Sequence, residues 1–300
     1  MVCDCHECTN KFVKYSCIPP YFVGPRRGIL KMLQRNSKKC IVSIIFVSMN
    51  CEFLHTVLWG WAGIALLTLI SLFFIQAPYG KHIRSGWGMM ISNRLGWIIM
   101  ELVSPIALSY FFWTGTAAKS DVLILIYGFW MFHYFYRSIL FPLMTKTSAK
   151  KIPLSIVLMA VFFNSVNGFT NGTFFGNCAD YIDESWTHQT CFWIGFILFI
   201  AGFYIHFYSD KILIQLRDEG DNKYYIPRGF LYRYISSPNY FGEILEWIGF
   251  AIMSWSPAAA VFALWTIANL LPRAFANHRW YQEKFEDYPK ERKAIVPFVV

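Results

Sequence analysis

The sequence predicts an all-α, polytopic membrane protein, a bundle of seven transmembrane helices with a cofactor pocket between them at the cytoplasmic side. Three observations carry this: the composition, the length of the apolar runs and the placement of Lys and Arg. Of 300 residues, 56% are hydrophobic and 19% aromatic, and only 15% are charged, which sets the chain apart from an average soluble domain. A membrane-spanning helix requires about 20 predominantly apolar residues. Such runs lie at 55–77, 93–114, 122–144, 152–168 and 190–209. A longer run, 238–276, is divided at Ser256-Pro257, because proline removes a backbone donor and disfavours helix in the residue before it. It therefore reads as two helices, 238–254 and 257–276.

Short cytoplasmic loops collect Lys and Arg. One set of loops holds Arg94; Lys146, Lys150 and Lys151; Lys211, Arg217, Lys223 and Arg228; and Arg273, Lys284 and Lys293, whereas the alternate loops hold Lys119 and an acidic stretch with Asp180, Asp183 and Glu184. The basic set is assigned to the cytoplasm with the C-terminus, which places the N-terminus outside, in a bacterial inner membrane or the endoplasmic reticulum. Much of the net charge of +9 is thus topological, and no nucleic-acid partner is expected; the surrounding lipid is.

Residues 1–48 break the charge rule, since Arg26, Arg27, Lys31, Arg35, Lys38 and Lys39 would lie outside. A start site assigned too early would explain this, with translation beginning at Met49; residues 49–300 then form the membrane domain. The segment Cys3, Cys5, His6, Cys8 lacks the second pair of a zinc finger, so no metal is expected. Cys51 and Cys178 both fall on the outer side, where disulfides persist, and are expected to pair, with Cys191 as the rival partner. Asn171-Gly172-Thr173 fits a glycosylation acceptor but is read as an ordinary Asn-Gly turn.

Ionisable groups within spans are costly and mark function. Glu101 lies one third of the way into the second span, with Trp97 four residues back on the same face. At that depth its carboxyl is expected to be protonated or held by a neighbour. His133, Tyr134 and Arg137 lie in the inner half of the third span. His206 and Asp210 end the fifth, and Arg217 follows. Tyr224 and Tyr225 precede a Pro227–Gly229 turn. Asn239, Glu243, Glu246 and Trp247 then form one helical stripe, and Arg273, Asn277 and Tyr281 repeat the spacing. Arginine binds phosphate through paired donors, and amides and carboxylates suit ribose and base, so this set fits a phosphate-bearing nucleotide. No Walker or dinucleotide-binding glycine motif is present, leaving a pocket between helices.

The segments Tyr79–His82, His133–Arg137, Ser209–Arg217, Asn239–Phe250 and Phe285–Phe298, with the Glu101 region, together resemble the steroid 5α-reductases from about residue 51 to the C-terminus. The resemblance implies reduction of the Δ4 double bond of a 3-oxo steroid by NADPH, with Glu101 and Tyr134 on the C3 carbonyl. It implies a cofactor set of Asp210, Arg217, Tyr224, Asn239, Glu243, Trp247, Arg273 and Tyr281, with His206 and Asn277 standing where relatives carry Asn and His. Trp97, Met100 and Arg137 would line the substrate pocket, Met100 replacing a Gln found in a relative. The protein is expected to act as a monomer. Other readings are a sterol, polyprenol or enoyl reductase, an isoprenylcysteine methyltransferase, and a non-catalytic sterol-binding protein; the Glu101–Tyr134 pair favours an enone substrate.

Overall fold

The computed structural model describes residues 51–75, 86–146, 150–216 and 223–300. The sequence readings on residues 1–48, on Arg217 and on the segment Tyr79–His82 lie outside the described residues. All seven expected helices are present: α1 (Cys51–Phe74), α2 (Asn93–Thr114), α3 (Asp121–Met144), α4 (Leu154–Asn177), α5 (Thr190–Gln215), α6 (Pro238–Ser254) and α7 (Pro257–Lys284). Among the described residues, all but α6 are long and apolar enough to cross a membrane. The 17-residue α6 is still about 25 Å long at 1.5 Å per residue. The chain is an integral, multi-pass membrane protein, and its apolar outer surface agrees, with Trp59 80% and Phe74 83% exposed.

Local chemistry sets most boundaries. The Oγ of Ser92, Ser120 and Ser256 accepts from the first turn of α2, α3 and α7 in turn, satisfying donors that a helix start leaves unpaired. The break before Pro257 falls where expected, through Trp255 in a left-handed conformation (φ 49°). Helix α4 was expected to begin at residue 152. Instead β2 (Lys151–Pro153) pairs antiparallel with β1 (Met90–Ser92), Ile91 opposite Ile152, and the helix starts after Pro153. Within α3, residues Tyr136–Leu140 form a π-helical turn.

The Asn171-Gly172 reading is corrected. Both residues lie inside α4, which runs on to Asn177, and Asn171 is fully buried, so it serves neither a turn nor glycosylation. The reason is packing. A Cβ at Gly168, Gly172 or Gly176 would meet backbone carbonyl oxygens of α2 at 2.8, 2.7 and 2.4 Å, so these glycines let α2 and α4 touch. A second seam joins α5 and α6 through Gly195, Gly202, Gly242 and Gly249, each facing backbone of the other helix.

Cys51 and Cys178 form a disulfide, and Cys191 is free. The core is aromatic: Trp130 of α3, Trp247 and Phe250 of α6, and Phe262 of α7 interlock with ring centroids 4.6 to 5.6 Å apart.

Candidate active site

One end of the bundle carries a cavity of about 260 Å³ between α2, α3, α5, α6, α7 and the loop 223–237. Trp97, Arg137, Asp210, Tyr224, Asn239, Arg273, Asn277 and Tyr281 line it, as expected from sequence, together with Arg94, Lys146, Lys150, Ser237 and Tyr240. Helical periodicity explains the convergence: Asn239 is at the start of α6, Asp210 in the last turns of α5, and Arg273, Asn277 and Tyr281 occupy one face of α7.

Arg137 is the junction. Its guanidinium lies 4.8 Å from the ring centres of both Trp97 and Phe141, and it faces Asp210 at 3.8 Å and Glu243 at 4.0 Å. This encloses a cation between aromatic faces and two carboxylates, an arrangement suited to arginine's flat, weakly hydrated group. Trp97 Nε1 also donates to the Arg137 carbonyl (3.3 Å). That carbonyl lies in the π turn, where the helical hydrogen-bond register is altered.

Asp210 has its oxygens held from three sides. Asn239 Nδ2 donates to Oδ1 (3.1 Å), Tyr136 OH donates to Oδ2 (3.3 Å), and His206 Nε2 stands 3.2 Å from Oδ2 without the alignment of a hydrogen bond. Elsewhere on the wall Arg273 Nε donates to Tyr240 OH (3.0 Å), and Asn277 Nδ2 to Ser237 Oγ (3.5 Å). Arg94 donates to the carbonyls of Pro142 and Thr145 (3.1 and 3.2 Å) and so braces the end of α3.

Glu101 of α2 and Tyr134 of α3 come within electrostatic reach of each other, and Arg137, which lines the cavity, and Glu243 act on both. Asn164 of α4 lies against Glu101 and donates to the Met100 carbonyl (2.6 Å). Tyr134 is buried, with Trp130 stacked beside it at 5.5 Å. Ser104, also beside Tyr134, is a buried hydroxyl with no aligned partner.

Several sequence expectations change here. Trp247 belongs to the aromatic core and is 1% exposed, so it backs the cavity without lining it; His206 is buried behind Asp210, and the half-buried Glu243 reaches the cavity through Arg137 at 4.0 Å. Met100 packs with Ile152, Ile156 and Val157, and Trp97 and Ile91 rest against the same cluster, the β1–β2 ribbon supplying part of its apolar surface. Glu246, a member of the α6 stripe expected from sequence to pair with a neighbouring cation, is fully buried and bonded to His133 and His206. Tyr136 was missed because the π turn re-aims it toward Asp210, a rotation that a regular 3.6-residue period does not contain.

Five helices of a membrane bundle closing around a cavity rich in Arg, Lys and amides, with a carboxyl and a phenol near its Arg137, are the architecture of a membrane-embedded oxidoreductase. The profile of the family described as 3-oxo-5-alpha-steroid 4-dehydrogenase matches residues 150–300. A steroid 5-alpha-reductase of Gossypium hirsutum is 42% identical over 240 residues, 79% of this chain and 93% of that protein. The corresponding protein of Arabidopsis thaliana is 41% identical over 243 residues, 77% and 91%. The 3-oxo-5-alpha-steroid 4-dehydrogenase 1 of Rattus norvegicus is 38% identical over 238 residues, 79% and 91%. This chain belongs to the 3-oxo-5-alpha-steroid 4-dehydrogenase family.

Proposed function

We propose that the protein reduces the Δ4 double bond of 3-oxo steroids to the 5α-3-oxo products, using NADPH. The observation that supports this most directly is the meeting of Glu101 and Tyr134, from separate helices, next to a cavity whose lining includes Arg137, Lys146, Lys150 and Arg273. That lining fits a phosphate-rich dinucleotide: guanidinium and ammonium groups for phosphate, and Asn239, Asp210 and Asn277 for sugar and base. When bound, the reduced nicotinamide supplies the hydride that adds to C5.

The protein's own part is electrostatic. As C5 is reduced, negative charge moves through the enone onto the C3 oxygen, and donors already aimed at that oxygen lower the barrier. Tyr134 donates its phenolic hydrogen, and Glu101, as a carboxylic acid, donates a second. A phenol paired with a neutral carboxylic acid does the same work in ketosteroid isomerase. Glu101 stands within the α2 span, among groups that do not include bulk water. The enolate then takes a proton at C4 from water. Arg137, anchored by Asp210 and Glu243, separates this pocket from the cofactor wall. With the Lys- and Arg-rich loops on the cytosolic side, cofactor enters from the cytosol and steroid from the bilayer.

The test is NADPH oxidation by purified protein in lipid with testosterone or progesterone, with product analysis. Stoichiometric formation of the 5α-3-oxo steroid is expected. Absence of turnover with every Δ4-3-oxo steroid tried refutes the reading.

A further inference from the structure

Behind the cavity lies a polar chain that the proposed chemistry does not use. Glu246 of α6 has no exposed surface. Its Oε1 is 2.7 Å from His133 Nδ1 on α3, and its Oε2 is 3.3 Å from His206 Nδ1 on α5; both rings are at most 2% exposed. A carboxylate can only accept, so each Nδ1 carries its hydrogen toward Glu246. One side chain thus joins three helices.

These three helices are not held equally. The α5–α6 pair is locked by glycines: a Cβ on Gly202 would lie 2.3 Å from the Glu246 amide nitrogen, and one on Gly242 would lie 2.4 Å from that of His206. Helix α3 has no such seam, and a Cβ at Gly128 would meet nothing within 4 Å. Its position against α5 and α6 rests on side chains: Trp130 on Trp247 (4.9 Å), Arg137 facing Asp210 and Glu243 (3.8 and 4.0 Å), Tyr136 on Asp210 (3.3 Å) and, as the shortest of these polar contacts, His133 on Glu246 (2.7 Å). Tyr134, the residue after His133, belongs to the donor pair with Glu101. Of the residues that fit the cofactor, Asp210, Asn239, Arg273 and Asn277 stand on α5, α6 and α7. A buried carboxylate is also a costly way to fill space, since apolar side chains of similar volume often replace buried ion pairs without loss of stability.

We propose that Glu246 is a positioning residue: by holding His133 it fixes α3 against the α5–α6 pair, and so sets the distance between the steroid-facing phenol of Tyr134 and the cofactor wall. The inference rests on the function proposed above. Reaction between two bound partners demands near-contact alignment, and an error of about 1 Å can cost about a hundredfold in rate.

The test is a double-mutant cycle of Glu246→Gln and His133→Gln in protein reconstituted in lipid. Three quantities are read: kcat, NADPH affinity from its fluorescence without steroid, and the thermal midpoint of the unliganded protein. Each single change should lower kcat roughly ten- to a hundredfold. NADPH affinity should shift by less than about threefold, because the glycine seam keeps the wall in place. The double variant should be no slower than the slower single one, as expected for two groups acting through one bond. Losses that multiply, or a kcat that falls only in proportion to the folded fraction, overturn the proposal. Should Glu246→Gln fail to assemble, His133→Gln carries the test, and a kcat within about twofold of the parent overturns it. The ligand atoms of His133, His206 and Glu246 all lie within 4.8 Å of one another. Stoichiometric metal in the purified protein, with kcat lost on chelation, would therefore also overturn it. If the parent protein turns over no Δ4-3-oxo steroid, the proposed function itself has failed, and the stability arm of the cycle still reports whether the Glu246–His133 tie exists.

Discussion

Replacing Gly202 by alanine tests how closely the site depends on the α5–α6 contact. The new Cβ would lie 2.3 Å from the Glu246 nitrogen, 2.7 Å from its Cα and 2.7 Å from the Gly242 oxygen. Carbon atoms pack best at about 3.5–4.0 Å, and all three obstacles are backbone, so no side-chain rotation relieves them. The helices must part by about 1 Å, a gap that forfeits a quarter to a half of each dispersion contact along the seam. Overpacking costs about 1–3 kcal/mol, and the backbone clash puts this site at the top of that range. Alanine's better helix propensity returns about 1 kcal/mol. The net loss is about 2 kcal/mol, which for a chain of this size lowers Tm by roughly 3 °C. The same separation stretches the 3.1 Å bond from Asn239 to Asp210 and the 3.3 Å contact from His206 to Glu246, so NADPH should bind more weakly. Gly128→Ala is the control, because its Cβ meets nothing. Thermal unfolding and NADPH titration of both variants decide the matter. If Gly202→Ala unfolds with Gly128→Ala and binds NADPH as the parent does, the close-packing argument is wrong.

Glu101→Gln should leave NADPH binding intact and slow steroid reduction at least about tenfold, or about 1.4 kcal/mol of barrier; abolished cofactor binding in a titration would mean Glu101 has been misplaced. Arg273→Ala should raise the Kd for NADPH before it changes kcat at saturation, and unchanged affinity would remove Arg273 from the site. Cys51→Ser opens the link to Cys178 and should cost about 2–4 kcal/mol, measured as a lower Tm that reductant no longer shifts. A parent protein whose Tm is insensitive to reductant would count against a stabilising disulfide.

Much of this protein is legible in one dimension because a bilayer imposes simple rules. Each span must be long and apolar enough to cross, so α2 was readable to the residue and the α6–α7 break was readable from Pro257. Polar residues stand out against such a background, which is how Asp210, Asn239, Arg273 and Asn277 were found. Readings failed where the signal was relational. Asn171-Gly172 has the composition of a turn, yet it continues a helix because Gly172 is needed against the Leu108 carbonyl. Trp247 shares a stripe with Asn239 and Glu243, but 17 residues of helix sweep that stripe from the polar cavity into the aromatic core. Tyr136 carried no distinguishing signal, and the partners of Glu246 could not be named, since Asp210 and His206 lie 74 and 40 residues away from them.

By itself the sequence determined the number of helices, the side of the membrane on which the cysteines meet and the inventory of polar groups, because hydrophobic length, compartment chemistry and desolvation cost are properties of a residue and its near neighbours; the structure chose Cys178 over Cys191 as the partner of Cys51. Only the tertiary structure decided which of those groups share a site. Bringing Glu101 to Tyr134, closing Asp210 among Asn239, Tyr136 and His206, and burying Glu246 between two histidines all depend on how near one helix backbone can come to another. Between α5 and α6 that distance is set by glycines, and around α3 by a π turn and interlocking side chains, whose effect is felt only by the partner they face.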